Sequence, residues 1–130
     1  MDGPALNDQE GRIRAALGIH RGPLPEVRAP WLRKYYEFLL GRLGWPFEAY
    51  YAGELGPFRQ SASLVTAIAL LDPGTNSHHE RWGLACRVRR GNQEGEIVLV
   101  DLEVEAGHAN YQLMEDYWYW FWNWRFDARI

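Results

Sequence analysis

Six aromatic residues in a row, Tyr117-Trp118-Tyr119-Trp120-Phe121-Trp122, constrain this 130-residue chain more than any other feature. Neighbouring side chains on a helix are about 100° apart, so such a run points all round the cylinder and needs cover on more than one side. Asn110 is placed as the N-cap of a helix running from Tyr111 to Trp124. A stripe through Leu113, Tyr117, Trp120, Phe121 and Trp124 is expected to cover a set of strands. Trp118, Tyr119 and Trp122 must then pack against a second helix or serve as the surface for a dimer or another partner.

The second helix is readable at 30–43. Pro30 suits a first turn, where its missing N–H would be unpaired in any case. Trp31, Leu32, Tyr35, Tyr36, Phe38, Leu39 and Leu43 follow at helical spacing, with Arg33, Lys34, Glu37 and Arg42 between them. Gly44 ends the helix, and Trp45-Pro46 forces extended geometry. From Phe47 the period changes to two. Phe47, Ala49 and Tyr51 alternate with Glu48 and Tyr50, and Leu84, Cys86 and Val88 alternate with Ala85, Arg87 and Arg89. Residues 64–71 are apolar on both faces, as in a central strand. Residues 90–95 form a hairpin loop before a strand at 97–100. Four or five short strands over 47–105 predict an α+β fold with a small SH3-like barrel, an N-terminal helix and an aromatic C-terminal helix. Residues 1–29, rich in Gly and Pro, are expected to form a mobile arm with at most one short helix near Asp8–Leu17. A single domain is then assigned to 30–130.

Charge separates along the chain. Residues 1–45 carry seven bases and five acids, 46–90 five and four, and 91–130 two and eight. The basic footprint that nucleic-acid binding requires is missing. The most apolar run, 62–71, is far shorter than the ~20 residues of a membrane helix. The N-terminus has no apolar signal core, so a cytoplasmic location is the expectation. The lone Cys86 excludes an intrachain disulfide and reads as a buried structural thiol. His78-His79-Glu80 reads as an exposed loop, and no phosphate loop, nucleophile elbow or zinc-helix motif is present, so an enzyme is not expected.

The acidic third has its own pattern. Asp101, Glu103 and Glu105 alternate with apolar residues, so an extended segment would place three carboxylates on one face at roughly 6.5–7 Å spacing. Like charges in a row repel unless a cation, an arginine or water screens them. Ca²⁺ would take oxygens from this face and from Glu115 and Asp116 on the last helix.

The stretches Trp31-x₃-Tyr35, Gly44-Trp45-Pro46-Phe47-Glu48-Ala49, Leu84 to Arg89, Val98-Leu99-x-x-Leu102-Glu103 and Asp116-Tyr117-Trp118-Tyr119-Trp120 resemble the cyanobacterial calcium-binding protein family. The likeness spans about residues 31–122, with Val98 standing where the family pattern has Pro. It implies an SH3-like barrel with flanking helices and a role in calcium buffering or regulation. Glu103 and Asp116 match family motif acids, and Asp101 and Glu48 fall within matched motifs. The expected metal ligands are therefore Asp101, Glu103, Glu105, Glu115, Asp116 and Glu48. The alternative is a metal-free interaction module or homodimer that uses Trp118, Tyr119, Trp122 and the strand face carrying Tyr50.

Overall fold

Two helices precede the strands in the computed structural model, which describes residues 4–51, 63–74 and 79–125. Helix α1 (Pro4–Leu17) buries Ile13, Ala16 and Leu17, and the segment after it buries Leu24 and Val27. The expected mobile arm is thus corrected: this segment belongs to the core. The i, i+3, i+4 spacing of Ile13, Ala16 and Leu17 makes one short apolar stripe, and that stripe has a docking site to fill. Helix α2 (Ala29–Leu40) starts with Pro30 in its first turn and buries Leu32, Tyr35, Tyr36 and Leu39. Glu80 accepts the N–H of Ala29 at 2.8 Å, satisfying one of the amides orphaned at the start of α2.

Strands β1 (Phe47–Tyr51), β2 (Ser63–Leu70), β3 (Ala85–Arg90), β4 (Gln93–Val98) and β5 (Leu102–Glu103) form one antiparallel sheet in the order β4-β3-β2-β1-β5. The short helix α3 (His79–Trp82) precedes β3. On β1, Phe47, Ala49 and Tyr51 face the core while Glu48 and Tyr50 face out, as the period-two pattern requires. The hairpin turn is tighter than the sequence suggests. Only Gly91 and Asn92 separate β3 from β4, and Gly91 supplies the positive φ that such a turn needs.

The two edge strands, β4 and β5, are consecutive in the chain, joined by one 3₁₀ turn at Leu99–Asp101. Edges of a flat five-stranded sheet would lie about 19 Å apart. The four peptide steps from Val98 to Leu102 reach at most about 14 Å even when fully extended. The sheet must therefore curl. It does not close into the expected barrel: β5 has two residues, both pairing with β1, and no pairing joins it to β4.

Helix α4 (Tyr111–Asn123) packs on α1 and the 3₁₀ turn, burying Met114, Asp116, Tyr117, Trp120 and Phe121. Tyr35 of α2 meets the rings of Tyr117 and Trp120, each at 5.2 Å between centroids. So α2 shares the stripe facing the sheet, where the sequence placed it over Trp118 and Trp122. Asn110 stands at the N-cap but its side chain does not cap α4. Its amide bonds both the N–H and the carbonyl of Gly44, at 3.0 Å each, clipping the turn before β1 to the start of α4. No described helix is long and apolar enough to cross a membrane.

Candidate functional site

Helix α4 docks with Tyr117, Trp120 and Phe121 inward, so the residues at i, i+3 and i+7 on its outer side, Glu115, Trp118 and Trp122, face solvent. Trp118 and Trp122 remain 46% and 45% exposed, high values for a residue type that is well buried on average. Alongside runs the segment 98–104, and a cleft lies at each end of the exposed face.

The cleft near the start of α4 has a volume of about 320 Å³ and is lined by Glu103, Val104, Tyr111, Met114, Glu115 and Trp118, among others. β5 positions Glu103, whose outward place follows from its pairing opposite Tyr50. Neither Glu103 nor Glu115 has a hydrogen bond or ion pair among the described residues. Two solvent-exposed carboxylates thus border a recess with two aromatic rings.

The cleft near the end of α4, also about 320 Å³, is lined by Arg81, Trp82, Asp101, Phe121, Trp122 and Arg125, among others. The Arg125 guanidinium lies 4.5 Å from the ring centre of Phe121 and 5.4 Å from that of Trp122, and Arg81 lies 5.9 Å from that of Trp82, which is itself half exposed. These are cation–π distances. Partial burial raises the pKa of Asp101 by desolvating its charged form. A third cleft, of about 420 Å³, sits between the first turn of α2 and Asp72–Gly74, but its Arg33 and Asp72 pair with each other and present no unanswered charge.

The six expected metal ligands do not converge. Glu103 and Glu115 meet in the first cleft and Asp101 lines the second. Asp101 belongs to the 3₁₀ turn and Glu105 lies beyond β5, so the three alternating acids do not share one strand face. Glu105 accepts the Tyr50 hydroxyl at 3.5 Å, and Glu48 points outward from β1. Asp116 is buried, and its oxygens are taken by the Arg12 guanidinium at 2.7 and 3.1 Å, by Gln9 at 3.1 Å and by Gln112 at 3.0 Å. An internal arginine answers its charge in place of a metal. Among the described residues, no group of three or more His, Cys, Asp or Glu side chains could hold a metal ion. Tyr119 is also engaged internally, its hydroxyl donating to Glu10 at 3.0 Å and its ring packing on Trp124, so it does not join Trp118 and Trp122.

Cys86 is buried and its thiol is pushed up to about 12 by burial, as expected of a structural cysteine. His78 lies outside the described residues. Sequence reasoning overlooked Arg81 and Trp82, which carry no periodic or motif signal of their own. Comparison with family models, curated proteins and solved structures finds no match to this chain.

Proposed function

We propose that the chain is a protein-interaction module that grips a basic side chain of its partner in the cleft between β5 and α4. One observation carries this reading: Glu103 and Glu115, unpaired among the described residues, line the same recess as Tyr111 and Trp118. A guanidinium or ammonium entering there donates charge-assisted hydrogen bonds to the carboxylates and lies against an indole face. In the same reading the curled sheet is an SH3-like barrel left open. Its five short antiparallel strands, with the two edges joined by a single 3₁₀ turn, support that assignment. The recess offers no nucleophile–base pair, so binding rather than catalysis is the proposed activity.

Calcium is the second reading, and what favours it is that two of its expected ligands, Glu103 and Glu115, do meet. Ca²⁺ takes about 6–8 oxygens, so two carboxylates would leave water to complete the shell and the affinity would be low. A titration followed by amide and indole shifts separates the two, with an arginine-rich peptide, Ca²⁺ and Mg²⁺ as ligands. The expected outcome is that the peptide moves the resonances of Glu103, Glu115 and Trp118, and that Glu103→Gln with Glu115→Gln weakens binding about tenfold or more. If Ca²⁺ moves those resonances and the peptide does not, the calcium reading replaces the interaction reading.

A further inference from the structure

The exposed face of α4 is electrically bipolar. Glu103 and Glu115 mark one end, and Arg81 and Arg125, with Asp101 between the strands and the helix, mark the other. Trp118 and Trp122 form the ridge between them, one helical turn apart. From this we infer that the face is the interface of a twofold dimer of the chain, in which Arg81 of each copy enters the Glu103–Glu115 cleft of the other.

A twofold axis brings a patch against itself in reverse, so an isologous interface must be complementary to its own rotated copy. A face with acids at both ends, or bases at both ends, would repel itself. Here rotation lays the acidic end of each copy on the basic end of the other, and the tryptophan ridges cross at the axis. Arg81 suits the role because its one contact among the described residues is the ring of Trp82, so the guanidinium arrives already laid on an exposed aromatic. The pairing answers all the loose features of the face together: two unpaired carboxylates, an exposed arginine and three half-exposed tryptophans, Trp82, Trp118 and Trp122. Three half-exposed indoles expose on the order of 300 Å² of ring surface per copy. An interface built chiefly on these rings would fall below the ~800 Å² per partner of a standard one, so a weak, concentration-dependent association is expected.

The inference rests on reading the Glu103–Glu115 cleft as a cation grip, and it names the partner. Sedimentation equilibrium on the full chain from about 10 µM to about 1 mM tests it. The wild type is expected to pass from monomer toward dimer across that range. Glu115→Arg alone and Arg81→Glu alone each place like charges together twice per dimer and are expected to weaken association about tenfold or more. An equimolar mixture of the two variants restores an 81–115 pair of opposite charge at both contacts, so it is expected to associate more tightly than either variant alone, which a folding defect could not produce. A wild type that stays monomeric at about 1 mM, single variants that associate unchanged, or a mixture that fails to recover each overturns the dimer. The arginine-peptide titration repeated on monomeric Arg81→Glu then separates the two readings. Peptide shifts at Glu103 and Glu115 alongside a wild type that stays monomeric retain the cleft and remove the dimer, and a monomeric wild type with no peptide shifts removes both.

Discussion

Among the described glycines, Gly83 has the least room for a side chain. It joins α3 to β3 at φ +78°, and a Cβ added there would lie 2.6 Å from the Tyr117 hydroxyl and 2.7 Å from the edge of the Phe121 ring. Neither neighbour can retreat. The Tyr117 hydroxyl accepts the N–H of Leu84 at 2.8 Å, and the rings of Tyr117 and Phe121 are both fully buried. Left-handed strain and overpacking together set the expected cost of Gly83→Ala at about 2–4 kcal/mol. Urea denaturation checks it, and a loss below about 1 kcal/mol would mean that α4 slides freely over α3. The identity of this position as glycine was visible in the sequence, but its reason was not. The crowding comes from α4, more than thirty residues along the chain. Cys86 shows the opposite case, because strand alternation alone places its thiol inside.

At the scale of elements, local pattern and distant partnership divided what could be read. α2 and α4 carry dense apolar residues at helical spacing, and β1 and β3 alternate cleanly, so each was recognisable from its own residues. α1 was so only in part: a short helix near Asp8–Leu17 was allowed, but Gly11, the glycines and prolines on either side and the short stripe hid its docking on the core. What holds α1 is Asp116, which in sequence looks like a surface acid of a metal site and in three dimensions answers Arg12. The same reasoning explains the site. Spacing brought Glu103 and Glu115 onto one candidate set, but the 3₁₀ turn that removes Asp101 from the strand has no periodic signal. Arg12→Ala leaves the buried Asp116 carboxylate with only the two glutamine amides. Because Arg12 is 42% exposed, the expected loss is moderate, about 1–3 kcal/mol. Asp116→Asn in the Arg12→Ala background should recover part of that loss, and a double-mutant cycle by thermal or urea unfolding measures the coupling. No coupling between the two positions would detach α1 from the stability of the fold.

For the molecule as a whole, Asp101 links stability to acidity at the turn that joins the two sheet edges. Desolvation raises its pKa in the folded state, so the folded protein holds that proton more tightly than the unfolded chain does. Its contribution is therefore complete below the unfolded-state value and is lost as pH rises through the folded-state value. Asp101→Asn removes the dependence. The variant is expected to match the wild type near pH 3 and to exceed it near pH 7, and urea midpoints at the two values decide the matter. Equal midpoints at neutral pH would mean that the carboxylate is hydrated without cost. The docking of α1 on α4 also bears on how the chain is made. Arg12 and Asp116 are 104 residues apart, and the backbone of Val27 bonds that of Trp124 at 2.8 Å. At about 5–20 residues per second, α1 leaves the ribosome roughly 5–20 s before the helix it needs. For that interval α1 has α2 beside it but not the α4 partner of Arg12, so its docking is completed only when the far end of the described chain has been made.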